Sequence, residues 1–125
     1  MKKDISCRED IHFLITEFYH KLLNDNSINH FFDHIIKSNS LEHHLNTITD
    51  FWNGILFSAT DYQRNAMQPH LDLNKTIPFK KEHFTIWLNH FNKSVDDNFT
   101  GEKALMAKTR ALSIATIMEI KTIHS

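Results

Sequence analysis

Apolar residues recur at steps of three and four along most of this chain, which is the spacing of one face of an α-helix. The first such face consists of Ile11, Leu14, Ile15, Phe18, Tyr19 and Leu22. A short helical piece with Phe31 and Phe32 follows, and Asn26 or Ser27 is expected to cap it. The second long helix is predicted from Leu41 to Phe57, with His44 on its inward face beside Leu41, Leu45, Ile48, Phe51, Trp52 and Ile55.

The second half of the chain continues the helical pattern after one interruption. Residues 61–69 predict a short helix that ends near Pro69, and residues 71–78 look irregular. Pro78 suits the start of the next helix, whose face is Phe84, Trp87, Leu88, Phe91 and Val95. Thr100 is expected to cap the last helix, whose predicted inward face is Ala104, Leu105, Lys108, Ala111, Leu112, Ala115 and Met118, with Lys108 at its edge.

Composition narrows the fold class and the environment. Glycine and proline occur only twice each, so the 125 residues predict one all-α domain of about six helices, with a core at about 8–120. The net charge is −1 and no basic stripe is present, which argues against nucleic acid as a partner. We find no signal peptide and no apolar run long enough to span a membrane. A single cysteine, Cys7, agrees with a reducing cytoplasm.

One histidine stands out against this background. His70 directly follows Pro69, in a connection between two helices that are rich in aromatic residues. The chain also has ten phenylalanines, two tryptophans and ten histidines. Large aromatics can line a flat cavity, and imidazole is a common axial ligand of haem iron. Axial ligation of haem iron is therefore the first chemistry that this histidine suggests.

The order of several short motifs resembles the truncated haemoglobins, and within them the group III subfamily. The matching segments are Phe18-Tyr19, Phe31-Phe32, His44 with Phe51-Trp52, Pro69-His70-Leu71-Asp72-Leu73, and Phe84-x-x-Trp87-Leu88-x-x-Phe91. Other groups usually have paired-glycine motifs at helix ends, which this chain does not have. The resemblance implies a shortened globin, a two-over-two helical sandwich around haem b.

The same resemblance implies a role for each of eight residues. His70 would be the proximal ligand of the iron. Tyr19 and Trp87 would be distal hydrogen-bond donors to a bound ligand, and His44 would be a third distal residue, acting as a gate or as a donor. The other cofactor-lining positions would be Phe32, Ile48, Trp52 and Phe84. Candidate partners of the haem propionates stay open among Tyr62, Arg64, Lys75, Lys80 and Lys81.

These residues imply five-coordinate iron that binds O₂, NO, CO or other small ligands in a polar distal pocket. Two donors favour ligand retention, or NO and reactive-oxygen chemistry, over O₂ transport. Whether the chain is an enzyme stays open. NO dioxygenation or peroxidase-like turnover would need an external reductase, because the chain has no flavin or NAD motif. We expect a monomer in the cytoplasm.

Two other interpretations fit the composition. A helical protein could bind a transition metal directly, for example through His30 and His34, which lie one turn apart, or through His43 or His44 with a residue on a neighbouring helix. A haem-free interaction module on a globin scaffold is the other alternative. The presence of His70, Tyr19 and Trp87 argues against the second alternative, since a haem-free module would not need polar donors on the distal side.

Overall fold

The computed structural model describes residues 2–57 and 80–123, except the side chains of His34 and of residues 121–123. Within these ranges the elements are helix α1 (Arg8–Leu23), a 3-10 helix (Asn29–Phe32), α2 (Asp33–Lys37), α3 (Leu41–Phe57), α4 (Lys81–Asn98) and α5 (Glu102–Ile123). Only an isolated bridge between Lys3 and Phe99 has strand-like pairing in this part of the chain. The all-α prediction is confirmed. The predicted helix at 61–69, Pro69, His70 and Pro78 lie outside the described residues.

The core forms where α1 packs against α3 and α4, and where α4 packs against α5. All six residues of the predicted α1 face are buried. Helix α3 has the predicted bounds, and Leu45, Ile48, Phe51 and Trp52 are buried on it, while Leu41 and Ile55 are partly buried. Helical periodicity therefore predicted the two helices that supply Tyr19 and His44.

The predicted inward face of α5 is partly wrong. Leu105 and Leu112 are 63% and 55% exposed, and the buried side is formed instead by Ala104, Ala107, Ala111, Ala115 and Met118. Small alanine side chains let a helix approach its neighbour closely, and each leucine lies about 100° around the helix from the alanine before it. Lys108 is at the edge of the buried side, as predicted, and its Nζ lies 2.7 Å from an Asp96 carboxylate oxygen.

Thr100 does not cap α5. The backbone N–H groups of Lys103 and Ala104 each donate to the Asp4 carboxylate at 2.9 Å, so a distant acidic residue satisfies the first turn. Gly101 makes this approach feasible, because its φ is +135° and an added Cβ would lie 2.6 Å from Asp4 Cγ. The N-terminal segment is thereby held against the start of α5.

Asn26 and Ser27 do not cap the 3-10 helix either, since its N-cap is Ile28, without a side-chain hydrogen bond. The preceding turn depends on Asp25, whose backbone oxygen accepts the N–H groups of Ile28 and Asn29 at 3.1 and 2.9 Å. The Asp25 carboxylate also accepts the Ser27 N–H at 2.9 Å. A single aspartate therefore shapes the connection that leads to Phe31 and Phe32.

Candidate functional site

Two of the predicted distal residues meet between α1 and α3. Tyr19 is only 2% exposed, and a 2.7 Å hydrogen bond joins its hydroxyl to Nε2 of the half-buried His44. The two rings lie edge to face, with centroids 5.1 Å apart. Tyr19 is on the helix face that packs towards α3, and His44 precedes Ile48 by one turn on the face that receives it. The geometry thus places a polar pair inside a largely apolar region.

Burial decides the charge of this pair. Because the phenol of Tyr19 is removed from water, its pKa is raised well above the usual range for tyrosine, and the hydroxyl stays protonated. A protonated hydroxyl has one O–H to donate and lone pairs that accept. The tautomer of His44 decides which partner donates within the pair. Tyr19 is therefore a neutral group, and its one proton is available to a small acceptor in the tautomer in which His44 Nε2–H donates to the hydroxyl oxygen.

A cluster of aromatic rings surrounds this pair. Phe18 packs edge to face against Tyr19, Trp87 and Phe91, at centroid distances of 5.4, 5.5 and 5.2 Å. Phe91 in turn stacks against Trp87 at 6.0 Å and against Trp52 at 4.8 Å. Phe18 and Phe91 thus connect the predicted pocket residues of three helices. Neither phenylalanine is among the predicted site residues, although both lie on predicted apolar faces.

The remaining predicted lining residues of the described ranges are buried as well. Phe32 packs edge to face on Tyr19, with centroids 5.6 Å apart. Ile48 lies one turn after His44 on α3, and Phe84 lies one turn before Trp87 on α4, each 4% exposed. The structure therefore brings Phe32 and His44 directly to Tyr19, and it connects Trp87 and Trp52 through the two phenylalanines. His70 lies outside the described residues.

The residues at this site suit a flat apolar cofactor with a small ligand on one side. Buried aromatic and aliphatic side chains can cover a macrocycle, and the Tyr19 hydroxyl offers a neutral polar group close to them. Of the candidate propionate partners, Lys80 and Lys81 are exposed at the start of α4, and Tyr62, Arg64 and Lys75 lie outside the described residues. The described side chains thus fit haem.

The alternative of direct transition-metal binding has less support in the described residues. No group of three or more histidine, cysteine, aspartate or glutamate side chains that could hold a metal ion is found in them. His30 packs on Phe31, and its ring centroid lies 6.0 Å from that of His83, while the side chain of His34 is not described. His44 is hydrogen-bonded to Tyr19. Direct binding of a transition metal by these histidines thus has no third protein ligand among the described residues.

Three comparisons with known proteins all identify globins as the relatives of this chain. The family model described as bacterial-like globin matches residues 3–120. A group 3 truncated haemoglobin from Campylobacter jejuni is 32% identical over 118 residues, which cover 93% of this chain and 91% of that protein. The crystal structure of a group III truncated haemoglobin from the same organism superposes with a TM-score of 0.83, at 30% identity, covering 98% of this chain and 95% of the other. The chain belongs to the group III truncated haemoglobins.

Membership of this family confirms the predicted fold class and makes the chain a haem-based gas-binding protein. The family model extends across position 70, where the sequence predicts the proximal histidine. None of the described helices has both the length and the apolar character needed to cross a bilayer.

Proposed function

We propose that this truncated haemoglobin holds haem b through His70 and binds O₂ and other diatomic ligands beside Tyr19, His44 and Trp87. The observation that supports this most is the 2.7 Å hydrogen bond between the buried Tyr19 hydroxyl and His44 Nε2. Desolvating a hydroxyl costs free energy, so a polar pair inside an aromatic cluster suggests a function beyond packing. Stabilising a small polar ligand is the function that fits best.

Iron protoporphyrin IX is the proposed cofactor, bound without a covalent link. Cys7 is the only cysteine, so the chain has no Cys-x-x-Cys-His segment for covalent attachment. His70, which lies outside the described residues, would supply the proximal imidazole, because its position directly after Pro69 matches that of the proximal histidine in the family. Phe32, Ile48, Trp52 and Phe84 cover the macrocycle with apolar surface, and this exclusion of water strengthens nearby hydrogen bonds.

The distal side chains act on the ligand by donating hydrogen bonds. The ferrous haem group, when bound, supplies an open iron position and shifts electron density onto a diatomic ligand. Tyr19 presents a hydroxyl whose proton is retained because burial raises its pKa. The indole N–H of Trp87, held by its stacking on Phe91, is the second proposed donor. His44, with its proton on Nε2, would donate to the Tyr19 oxygen and so leave the hydroxyl proton for the ligand.

The strength of such bonds favours retention over transport. A hydrogen bond to a charged acceptor contributes roughly 1.5–3 kcal/mol, and about 1.4 kcal/mol changes a rate or equilibrium tenfold. Tyr19 and Trp87 together would slow ligand release by orders of magnitude. Retained O₂ suits reaction with NO or with reactive oxygen species, in which an external reductase would restore ferrous haem. A reducing cytoplasm is the compartment that we propose for such chemistry.

The test is a visible spectrum of the purified chain, reduced and under CO, recorded beside His70→Gly with and without added imidazole. We expect an intense Soret band that shifts with CO, is altered in His70→Gly, and returns with imidazole. His43→Gly is the matched control, since His43 is an exposed histidine next to His44 and should leave the spectrum unchanged.

Two outcomes would contradict the proposal. A chain with no Soret band after haemin is added does not bind haem, and metal analysis of the histidine-rich segments would then come first. A normal spectrum for His70→Gly without imidazole would assign the proximal ligand to another residue. Rapid consumption of NO by the O₂ complex, with nitrate as the product, would separate NO chemistry from simple O₂ retention.

A further inference from the structure

Exposed apolar side chains are concentrated on α5. Among the described residues, the large hydrophobic side chains that are more than two-fifths exposed are Phe13, Ile36, Leu105, Leu112, Ile117 and Ile120. Phe13 and Ile36 are on other helices, whereas the last four are on α5. Single exposed apolar residues are normal on a protein surface, but a contiguous apolar patch often marks an interaction site. The clustering on one helix therefore calls for an explanation.

Three of these four side chains line up along the helix, with two exposed threonines between them. We call Leu105, Thr109, Leu112, Thr116 and Ile120 the outer stripe; all five are exposed. Successive members are three or four residues apart, which puts neighbours about 5–6 Å from each other on a helix surface. Thr116 donates its hydroxyl to the Leu112 backbone oxygen at 2.9 Å, so its polar atom is satisfied within the helix. The outer stripe faces away from the buried alanines of α5.

We propose that the outer stripe is an interface with a second copy of this chain, packed antiparallel about a two-fold axis near Leu112. The stripe has nearly the same pattern in both directions along the helix. An antiparallel copy would place Leu105 against Ile120, Thr109 against Thr116 and Leu112 against Leu112. A two-fold interface needs one patch that is complementary to itself, and this pattern meets that requirement.

Charge at the edge of the stripe favours the same arrangement. Lys108 and Glu119 are both half-buried and flank the same edge of the outer stripe. The two-fold axis would bring Lys108 of each copy close to Glu119 of the other, so two ion pairs would form. Lys108 already lies 2.7 Å from Asp96, which would extend each pair into a small network. Opposite charges placed in register select for a specific partner and orientation.

The size of the stripe predicts weak association. Its five residues span about 22 Å of helix, at 1.5 Å per residue, and antiparallel helices pack about 8–10 Å apart. A single helix pair of this length buries less than the roughly 1,600 Å² of a standard interface, so the dimer should depend on concentration. This proposal departs from the monomer expected from the sequence, and it is independent of the proposed haem chemistry.

Sedimentation equilibrium of the full chain, from low to high micromolar concentration, tests the proposal. We expect the apparent mass to rise from 14.8 kDa towards twice that value. Leu112→Lys puts two like charges at the two-fold axis and should leave a monomer at every concentration. The matched control is Ile36→Lys, because Ile36 is 50% exposed on another helix and its substitution should leave the association unchanged.

A monomer at every wild-type concentration would overturn the proposal, as would a dimer that Leu112→Lys does not weaken. Equal loss of the dimer in Ile36→Lys would also overturn it, since the effect would then be general. Circular dichroism checks that each variant keeps its helices. If Leu112→Lys does not fold, Leu105→Glu at the end of the outer stripe replaces it, with the same expected loss of the dimer.

Discussion

Two histidines of this chain make hydrogen bonds of the same length with different consequences. His44 Nε2 lies 2.7 Å from the Tyr19 hydroxyl oxygen, and His90 Nε2 lies 2.7 Å from an Asp25 carboxylate oxygen. The first pair joins α1 to α3 inside the aromatic cluster. The second joins α4 to the turn after α1, where both side chains are about a quarter exposed.

The partner of each histidine sets the charge of the pair. Burial raises the pKa of Tyr19, so the phenol keeps its proton. The hydrogen bond from His90 and the Ser27 backbone N–H hold the pKa of Asp25 below its usual range, so the carboxylate is ionised. A buried neutral hydroxyl can donate a hydrogen bond to a bound ligand and keep its proton. An ionised carboxylate can only accept hydrogen bonds, and here it connects α4 to the turn after α1.

Removing the Tyr19 hydroxyl should have the largest effect. Tyr19→Phe should raise the O₂ dissociation rate tenfold or more, because one hydrogen bond to a charged acceptor contributes roughly 1.5–3 kcal/mol. Stopped-flow displacement of O₂ measures this rate. CO dissociation is the internal control, since CO takes up little charge and should change much less. An unchanged O₂ dissociation rate would mean that Tyr19 does not donate to the ligand. The functional difference between Tyr19 and Asp25 would then be lost.

Changing Asp25 should affect stability rather than ligand release. Asp25→Asn keeps an oxygen that can accept the Ser27 N–H but loses the charge that faces His90. We expect the free energy of unfolding to fall by up to about 1 kcal/mol, the upper end for a partly exposed contact of a carboxylate. Urea denaturation measures this change, and O₂ dissociation should stay within twofold of wild type. A tenfold faster O₂ release would show that the two histidine pairs are coupled.

The sequence predicted that Tyr19 and His44 share one pocket, without predicting their hydrogen bond, and it gave no indication of the contact between Asp25 and His90. Periodicity placed Tyr19 and His44 on the inward faces of two helices whose structures match the prediction, and the family resemblance gave both a shared role. Asp25 and His90 are 65 residues apart, with ordinary surface-like neighbours, and no local pattern indicates that they meet. Long-range contacts between half-exposed side chains depend on how the helices pack, which periodicity does not determine.

The errors on α5 have the same origin. Large apolar residues usually dominate a buried face, which is why Leu105 and Leu112 are predicted in the core, but alanines form most of the buried side of α5. The Asp4 cap is not predictable from local sequence, because Asp4 precedes the two residues that donate to it, Lys103 and Ala104, by 99 and 100 positions. The roles of His70 and the other residues beyond the described ranges stay predictions. Local sequence thus predicts which residues form helices better than it predicts how these helices are rotated and capped.

The smallest expected effect is a pH dependence of stability that comes from Asp25. Because its pKa is lower in the folded chain than in the unfolded one, its contribution to stability is complete above the ordinary carboxyl value of about 3.9 and is lost as pH falls through the folded value. The difference in unfolding free energy between wild type and Asp25→Asn should therefore shrink as pH falls below about 4. Urea denaturation of both chains at each pH measures it, with Asp33→Asn, at an exposed position, as the control. A difference that stays constant would mean that hydrogen-bond geometry, rather than charge, stabilises the contact with His90.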